Sequence, residues 1–359
     1  MSHPNNNSLP SSDEIELIVG NSSSNFSGVT STMLQVTSIQ KEMINLRIMG
    51  KHFVPDPSLT ISFWEVAKMC RRPLSNGKWR IFHARRVDEM IQGVILKYLF
   101  RAKIKLVFSS AAQRKRSAST VWLSNKMDAV IAMSNRSAKY LNKPPAKINL
   151  HGVQIDNYMP AENKQEAWQN LGFGGKYGIG ILGRVREQKG VHLFVQACIE
   201  VLPKYPEVNA VVVGAISSSN QEFVNQLKEK VSKAGLTERI VFTGELPFEQ
   251  IPNIFSALSL VSALSYNEGF GLTVPEAMSA GAAVLATQAG AWEDIIRPGV
   301  DGYIIPTKDQ QSVTEKMDLL LSDMDKLAEM GKAGREHVVK NFKAEDEARN
   351  LVEFFRTLQ

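Results

Sequence analysis

The sequence predicts an α/β protein made of two Rossmann-like, doubly wound domains. Three observations lead to this prediction. The chain has 359 residues, which is enough for about two domains. Short and almost wholly apolar runs recur along it, as is typical of parallel strands covered on both faces. Helix-length stretches separate many of these runs, which favours right-handed βαβ units and open parallel sheets.

Apolar runs mark the strands of each predicted domain. In the first half, a helix is expected at 87–101, and the runs are IELIVG (15–20), INLRIM (44–49), WRIFHA (79–84), KLVFSS (105–110), AVIAMS (129–134) and INLHGV (148–153). In the second half they are YGIGIL (177–182), AVVVG (210–214), IVFTGE (240–245), LSLVSA (258–263), AAVLAT (282–287) and GYIIP (302–306). The stretch from about 325 to 359 has no strand signal and predicts two or three helices.

The polar stretch QIDNYMPAENKQEAWQNLGFGGK breaks this rhythm and predicts an interdomain linker. The expected organisation is a disordered leader at 1–14, a first domain at 15–155, a linker at 156–175 and a second domain at 176–340. The remaining residues, 341–359, are expected to form a helix that packs back on the first domain. The polar N-terminus has no apolar signal core, so we expect a cytoplasmic protein.

Charge is spread unevenly along the chain. Residues 1–160 carry 22 Lys/Arg against 10 Asp/Glu, or +12, whereas residues 161–359 carry 20 against 26, or −6. The basic half therefore predicts an anionic partner, such as an acidic substrate or an anionic membrane surface. The stacked aromatics of a nucleic-acid-binding module are missing, so no nucleic acid is expected.

The sequence offers no cofactor or metal signature. Cys70 and Cys198 are not spaced as metal ligands and predict free thiols in a reducing compartment. No GxGxxG fingerprint is present, which argues against a nicotinamide oxidoreductase with the same type of sheet. No DxD motif and no His/Cys cluster offers a metal site, so we expect metal-independent chemistry.

Three strand–loop–helix junctions are candidate ligand sites, because helix N-termini at the carboxyl ends of strands bind anions. The first is GRVREQKG (183–190), where Arg184 and Lys189 could grip a diphosphate. Taken alone, this loop is more simply explained as a solvated basic turn. The second junction is NSSSNFSGVTST (21–32), where Gly28 could bring backbone N–H groups to a phosphate, although an ordinary turn explains it as well.

The third junction is SYNEGFGLTVPEAMSAG (265–281), which holds two glutamates separated by seven residues. Glycines let the backbone approach a ligand closely, and Pro275 suits a first helical turn. Glu276 then lies in the N-terminal turn of a helix, where the dipole favours a carboxylate. Glu268 lies on the loop and has no such structural explanation. Two carboxylates around one ligand could accept hydrogen bonds from sugar hydroxyls.

Taken together, these loops resemble the retaining glycosyltransferases of family 4, which have the GT-B fold of two facing Rossmann-like domains with a cleft between them. The Glu268…Glu276 pair matches the family's E-x7-E motif, and GRVREQKG matches its Arg…Lys loop. The segments HARRVDEM (83–90), FSSAAQRKRS (108–117) and MDAVIAMS (127–134) resemble the lipopolysaccharide-core mannosyltransferases of rhizobial type.

The resemblance implies a role for each matching residue. Arg184 and Lys189, with Gly183 beside them, would bind the diphosphate of a nucleotide-sugar donor, and Gly28 would approach the phosphates from the first domain. Glu276 would hold the ribose hydroxyls, and Glu268 would face the donor sugar. The backbone N–H groups that would help are those of Gly269, Phe270, Gly271, Leu272 and Thr273, while Thr243 and Gly244 would lie near the base.

The resemblance also implies the reaction. A hexose, most simply mannose from GDP-mannose, would move with retention to the inner core of a Kdo–lipid A type acceptor. Arg184, Lys189 and a helix N-terminus would stabilise the leaving diphosphate in place of a metal. Alternatives that stay open are a UDP-sugar donor with another lipid-linked acceptor, a nucleotide-sugar epimerase of the same fold, and a basic nucleic-acid-binding module.

The acceptor is expected on the basic domain, and the protein is expected to be peripheral on the inner face of the cytoplasmic membrane. Candidate acceptor-binding residues follow predicted strand ends and are His83, Arg85, Arg86, Arg114, Lys115 and Arg116. For His83 a structural hydrogen bond is an equal alternative, and for the Arg114–Arg116 cluster so is a solvated face. No amphipathic anchor is visible in the sequence, so attachment is expected to depend on charge.

Overall fold

The structure is a computed structural model that describes residues 13–359. Most of the leader expected at 1–14 therefore lies outside the described residues. The chain divides into two compact units. The first runs to His151 and also takes in Ala344–Gln359, and the second comprises Gly152–Lys343. Each unit contains one sheet whose paired strands are all parallel.

The sheet of the first unit has seven strands in the order β3-β2-β1-β4-β5-β6-β7. The strands are β1 (Leu17–Gly20), β2 (Leu46–Met49), β3 (Thr60–Ile61), β4 (Arg80–Ala84), β5 (Ile104–Ser110), β6 (Ala129–Ala132) and β7 (Lys147–Ile148). The helices are α1 (Gly28–Gln40), α2 (Phe63–Met69), α3 (Val87–Val94), α4 (Ala118–Ser124) and α5 (Asn135–Ala138). A π-helical turn, Ile95–Leu99, continues α3. The order reverses between β1 and β4, so the switch point lies at their carboxyl ends.

The sheet of the second unit has six strands in the order β10-β9-β8-β11-β12-β13. The strands are β8 (Tyr177–Leu182), β9 (Val208–Val213), β10 (Ile240–Gly244), β11 (Leu258–Ala263), β12 (Ala283–Thr287) and β13 (Gly302–Ile305). The helices are α6 (Lys164–Asn170), α7 (Val191–Val201), α8 (Gln221–Lys233), α9 (Ile251–Ala257), α10 (Thr273–Ser279), α11 (Trp292–Ile295), α12 (Gln310–Leu321) and α13 (Met324–Asn341). Counted from β8, this is the 3-2-1-4-5-6 order of a dinucleotide-binding sheet.

Each sheet is buried because its strands are apolar on both faces. Every residue of β9 is buried, including the apolar pair Val211 and Val212 on opposite faces. In the first unit, Phe82 of β4 and Leu106 of β5 are buried in the hydrophobic core. The α/β architecture with two parallel sheets, predicted from these runs, is confirmed.

The segment between the expected domains is more ordered than a linker. The helix α6 lies within residues 156–175, and Trp168 on it is fully buried. Gly178 makes room for this indole, since a Cβ there would lie 2.2 Å from the ring. The Lys164 amine donates to three backbone carbonyls of the same unit, and its burial lowers its pKa to about 7. The segment is therefore part of the second unit.

The last helix, α14 (Ala344–Leu358), belongs to the first unit. Phe355 is fully buried and contacts the ring of His83, with 5.1 Å between the two ring centroids. His151 Nδ1 and Glu347 Oε1, both buried, are 2.7 Å apart. These contacts attach the helix to the sheet of the first unit.

Two strands differ from the sequence prediction at the edges of the first sheet. Of the run predicted at 148–153, only Ile148 lies in a strand of this sheet, the two-residue β7, and the two-residue strand β3 was not predicted. Short edge strands carry little apolar pattern, since they pair on one side only. Within residues 13–359, no helix is both long and apolar enough to span a membrane.

Candidate active site

Two loops of the second unit meet where the strand order of its sheet reverses. They follow β8 and β11, which are neighbours in that sheet. The Tyr266 amide donates to the Gln188 carbonyl at 2.8 Å, and the Gln188 side chain donates to the Asn267 carbonyl at 3.3 Å. Ligands of open α/β sheets bind outside the carboxyl ends of the strands at such a switch point. The structure therefore joins the two loops, far apart in sequence, into one surface.

Gly190 makes this close approach possible. Its φ is +71°, and a Cβ there would lie 2.3 Å from the Leu264 carbonyl oxygen. A side chain would meet both a backbone clash and an unfavourable left-handed conformation. Glycine at this position thus holds the start of α7 against the end of β11.

Lys189 and Glu268 are in direct contact across the two loops. Lys189 Nζ donates to Glu268 Oε2, and the Ser265 hydroxyl donates to the same oxygen at 3.3 Å. Each of the two charged side chains is 23% exposed, so ligand atoms can reach the pair from solvent. A cation that binds phosphate and an anion that accepts hydroxyl hydrogen bonds therefore lie side by side.

Arg184 and Gly183 lie at the mouth of the same surface. The Arg184 side chain is exposed, whereas Val185 after it is buried and anchors the loop. Gly183 has a φ of +128°, and its amide donates to the Val213 carbonyl at 2.9 Å. The loop backbone is thereby fixed to β9, while the guanidinium stays available to an anionic ligand.

Residues 269–273 form a turn that is fixed from outside. The Trp292 indole donates to the Gly271 carbonyl at 2.9 Å, and the Ala291 amide donates to the Phe270 carbonyl at 2.9 Å. Gly271 has a φ of +86°, and a Cβ there would lie 2.4 Å from the Trp292 Nε1. The carbonyl oxygens of Phe270 and Gly271 are therefore engaged in hydrogen bonds within the second unit. Gly269, Leu272 and Thr273, the other predicted donor-binding positions here, are half-buried at the start of α10.

Glu276 lies in the first turns of α10 and is half-buried. The Tyr158 hydroxyl donates to Glu276 Oε1 at 3.1 Å. Burial raises the pKa of Glu276 to about 7, and the hydrogen bond from Tyr158 partly opposes the rise. Burial beside this carboxyl also raises the pKa of Tyr158. A carboxyl that titrates near neutral pH can switch between donating and accepting hydrogen bonds.

The sequence analysis did not identify Tyr158 as a site residue, because it lies in the polar segment that was interpreted as a linker. It is 8% exposed, and its ring packs against Phe255 with 5.5 Å between centroids. Its carbonyl accepts hydrogen bonds from the Ser279 hydroxyl at 3.0 Å and from Arg335 Nη1 at 3.2 Å. These contacts fix the backbone that holds the phenol against Glu276.

Thr243 and Gly244 end β10, on the outer side of β9. The Thr243 hydroxyl donates to the Gly244 carbonyl at 2.9 Å. Gly244 has a φ of +72° and no atom within 4 Å of a Cβ placed on it. Both residues are half-buried at the same edge of the sheet as Arg184, two strands away.

In the first unit, Gly28 is the first residue of α1 and has open space around its Cα. The helix is capped by the Ser27 hydroxyl, which accepts a hydrogen bond from the Thr30 amide at 3.4 Å. Arg86 donates to the Ser27 hydroxyl at 3.1 Å and to the Thr30 hydroxyl at 2.9 Å. Arg86 pairs in addition with the fully buried Glu89 at 3.2 Å. Arg86 therefore links the two loops at the switch point of the first sheet.

His83 lies inside the first unit. Its ring is fully buried, and its Nε2 is 2.7 Å from the Ser109 hydroxyl. Burial, with the nearby Arg85 charge, holds the pKa of His83 well below its usual value, so the ring is neutral. His83 was expected either to bind the acceptor or to make a structural hydrogen bond. The structure shows the hydrogen bond, and the ring has no exposed surface with which to contact a ligand.

The other basic residues expected to bind the acceptor differ in exposure. Arg114 and Lys115 are exposed. Arg116 is half-buried, donates to the Ser110 hydroxyl and stacks over Phe108 at 5.2 Å. Arg85 is half-buried as well, and burial lowers its pKa. Two of the cluster's three charges are therefore directed to solvent.

A cavity of about 610 Å³ opens at the carboxyl ends of β1, β2 and β3. It was not predicted, since its lining comes from four separate segments. Asn21 Oδ1 and Gln92 Oε1 are buried there without a hydrogen-bond partner. Lys51 and His52 are exposed at its edge. The Glu65 carboxylate also lines the cavity and accepts hydrogen bonds from the Ser62 amide and hydroxyl. With this carboxylate engaged, buried amide groups beside two basic side chains suit a hydroxyl-rich anionic ligand.

Within residues 13–359, no three His, Cys, Asp or Glu side chains are grouped closely enough to hold an ion. Cys70 and Cys198 are both buried, and burial raises the pKa of each thiol. Positive charge at the candidate site comes from Arg184 and Lys189.

Comparison with known proteins identifies the family to which the chain belongs. Residues 163–337 match the family model "Glycosyl transferases group 1". The chain is 38% identical over 352 residues to the lipopolysaccharide core biosynthesis mannosyltransferase LpcC of Rhizobium leguminosarum bv. viciae, covering 98% of both chains. It is 36% identical over 349 residues to the mannosyltransferase LpsB of Rhizobium meliloti, covering 96% of this chain and 98% of that one.

Solved structures give the same result. The C-terminal domain of the group 1 glycosyl transferase LpcC from Francisella tularensis is 40% identical, with a TM-score of 0.52 over 54% of this chain and 99% of that domain. The Anabaena protein HepE in complex with UDP has a TM-score of 0.78 over 95% of this chain and 100% of that one, at 19% identity, and shows the fold alone. On this full-length identity and on the two parallel sheets, the chain belongs to the group 1 glycosyltransferases of GT-B fold, in the family of the rhizobial lipopolysaccharide core mannosyltransferases.

Proposed function

We propose that the protein transfers mannose from GDP-mannose, with retention, to the inner core of a lipopolysaccharide acceptor of Kdo–lipid A type. The observation that carries the proposal is the contact of Lys189 with Glu268 at the switch point of the second sheet. A phosphate-binding cation and a sugar-binding carboxylate are needed within a few ångströms of one glycosyl phosphate. The chain is similar over nearly its whole length to two mannosyltransferases of lipopolysaccharide core biosynthesis, and this similarity supports the choice of sugar and acceptor.

Donor binding would divide the existing ion pair. The diphosphate takes Lys189 and Arg184 as its cations, which leaves the Glu268 carboxylate to accept hydrogen bonds from hydroxyls of the sugar. Glu276, in the first turns of α10, accepts those of the ribose. Two ribose hydroxyls donating to this carboxyl favour its ionised form, since both of its oxygens then act as acceptors.

Bond breaking would be assisted by charge. As the bond from the sugar C1 to the diphosphate oxygen breaks, negative charge develops on the diphosphate. Arg184, Lys189 and the N–H groups from Gly269 to Leu272 stabilise it. The acceptor oxygen attacks C1 on the same face, its proton passes to the leaving phosphate oxygen, and GDP departs. This route retains the configuration at C1 and uses no divalent metal.

The acceptor would bind to the first unit. The support is the cavity at the ends of β1, β2 and β3, with its buried amides and the basic Lys51 and His52 at its edge. A sugar acid supplies both hydroxyl groups and a negative charge. Arg114 and Lys115 are exposed and add to the positive field that attracts such an acceptor.

The proposed location is the inner face of the cytoplasmic membrane, with the protein attached peripherally. The surplus of 22 basic over 10 acidic residues in residues 1–160 supports attraction to an anionic surface. Each basic residue close to such a surface adds about 1 kcal/mol, so three or four are sufficient for reversible attachment.

The test is nucleotide release from a panel of donors, with EDTA present. GDP-mannose, UDP-glucose and UDP-N-acetylglucosamine are each incubated with and without deacylated Kdo–lipid A. We expect GDP release only from GDP-mannose and only with the acceptor, and an α-linked product by NMR. Release from a UDP-sugar would overturn the donor assignment. Conversion of a UDP-sugar without acceptor would indicate an epimerase, and a β-linked product would refute retention.

A further inference from the structure

The first unit exposes an unusual set of large apolar side chains on α3 and its π-helical continuation. Ile91, Ile95, Tyr98 and Leu99 are 43%, 36%, 56% and 73% exposed. Their spacing of four, three and one residues places them on one face of a helix. The opposite face holds Met90 and is buried in the core. The helix therefore has a second apolar face, which no part of the described chain covers.

Neighbouring helices extend this face. Trp64 on α2 is 69% exposed, and its ring is 5.6 Å from that of Phe100, the residue after Leu99. Trp122 on α4 is 56% exposed. Lys126 lies over the Trp122 ring at 5.4 Å and over the Tyr98 ring at 5.8 Å, so these two aromatic side chains are adjacent. We call the set Trp64, Ile91, Ile95, Tyr98, Leu99 and Trp122 the aromatic face.

Basic residues predominate around the aromatic face, where the acidic neighbours are Glu65, next to Trp64, and Asp128. Residues 90–127 contain eight Lys/Arg and no Asp or Glu. Lys97 and Lys126 lie beside the exposed rings, and Lys97 pairs with Asp128 at 2.6 Å. A partner that covers this face must therefore be apolar within and negatively charged at its surface. A second copy of the chain would bring like charges together, which opposes self-association through this face.

We propose that the aromatic face inserts into the interfacial region of an anionic lipid bilayer. Trp and Tyr favour this depth because each has an apolar ring and a polar N–H or O–H group. The Lys126 side chain lies over the Tyr98 and Trp122 rings, and in this arrangement its ammonium group contacts lipid phosphates. The inference rests on the peripheral attachment proposed above and deepens it by adding an apolar component to the attraction by charge.

The two components respond differently to salt. Attraction between exposed charges and lipid headgroups is screened, as the Debye length falls from about 10 Å at 0.1 M to about 3 Å at 1 M salt. Insertion of Leu and Trp side chains is not weakened in this way, because it depends on the apolar area removed from water. Binding to anionic vesicles should therefore fall with salt but reach a plateau above zero.

The experiment is co-sedimentation of the full chain with vesicles of phosphatidylglycerol and phosphatidylcholine, compared with pure phosphatidylcholine, at low and high salt. The variant Leu99→Ser/Trp122→Ser removes two members of the aromatic face. Leu319→Ser is the matched control, since Leu319 is 49% exposed on α12 of the second unit. We expect the double variant to lose at least about tenfold in partition coefficient and the control to keep it.

Two further measurements make the outcome decisive. Thermal unfolding should be nearly unchanged in the double variant, because exposed substitutions alter stability by about 0.5 kcal/mol or less. Quenching of tryptophan fluorescence by lipids brominated on their acyl chains should occur in the wild type and decrease in Trp64→Phe/Trp122→Phe. Unchanged partition of a folded double variant, or complete release of the wild type by high salt, would overturn the proposal. So would a change of oligomeric state in the double variant.

The same variant separates this inference from the proposed reaction. With a soluble, deacylated acceptor, Leu99→Ser/Trp122→Ser should transfer sugar at the wild-type rate, because none of its substitutions touches the loops of the second unit. If the wild type does not transfer sugar from GDP-mannose but binds vesicles as expected, the proposed reaction is refuted while the proposed insertion of the aromatic face is supported.

Discussion

Replacement of Lys189 by Ala tests the centre of the candidate site. The substitution removes the cation that contacts Glu268 and, in the proposed reaction, the diphosphate. Loss of one preorganised charge that stabilises a transition state costs about 10²–10³-fold in kcat. We therefore expect transfer from GDP-mannose to fall by about a hundredfold or more, and GDP to bind more weakly.

The structure limits what the same change does to stability. Both side chains of the pair are 23% exposed, so water and salt screen their attraction, and the pair contributes about 1 kcal/mol at most. For a unit of the size of Gly152–Lys343 this corresponds to a fall in Tm of about 2–4 °C. Activity and stability should thus separate clearly in Lys189→Ala.

Lys204→Ala is the matched control for this experiment. Lys204 also pairs with a carboxylate, Asp318 at 2.9 Å, but on the exposed surface of the same unit. The control should keep both its turnover and its Tm. The assays are steady-state kinetics, GDP titration by calorimetry and thermal unfolding by circular dichroism. A folded Lys189→Ala protein with turnover within about threefold of wild type, a barrier change below about 1 kcal/mol, would refute the phosphate assignment.

Three further predictions concern the two acids, the pH dependence of GDP binding and the cavity. Glu276→Ala should mainly raise the donor KM, because contacts to the ribose are equally strong in the ground state and the transition state. Glu268→Ala should mainly lower kcat, because Glu268 faces the reacting sugar. The reverse kinetic pattern would exchange the two roles. Since the pKa of Glu276 is about 7 and ribose favours its ionised form, GDP binding should weaken by up to about tenfold per pH unit below 7, and Glu276→Gln should remove this dependence. Lys51→Ala and Gln92→Leu should each raise the acceptor KM by about tenfold without changing GDP affinity, as loss of one charged or buried polar contact implies. Lys78→Ala, exposed beyond the cavity lining, is the control, and an equal KM in all three variants would exclude the cavity as the acceptor site.

The sequence alone was sufficient for the central strands of both sheets and for the motifs on their loops. Parallel strands buried on both faces must be apolar throughout, so β8, β9 and β11 are visible as runs of letters. A helix that starts at Thr273, after the glycines and before Pro275, also follows from local chemistry. Glu268 and Glu276 could therefore be assigned to a loop and to the first turns of a helix.

Contacts between distant segments were decided only by the tertiary structure. Lys189 and Glu268 are 79 residues apart, and they meet because β8 and β11 are neighbours in the sheet. No local pattern contains that order, which depends on how whole strands pair. The Tyr158 hydrogen bond to Glu276 and the pKa that results from burial have the same origin.

Burial is the other property that the sequence left undetermined. His83 lies near the end of β4 and Arg86 just after it, yet the His83 ring is fully enclosed because α14 covers it with Phe355. The apolar letters Ile91, Ile95 and Leu99 suggest a core helix, but their side chains are exposed, since the core is already filled from the other face of α3. A sequence states which side chains are apolar, whereas the packing of all elements together decides which of them water still reaches.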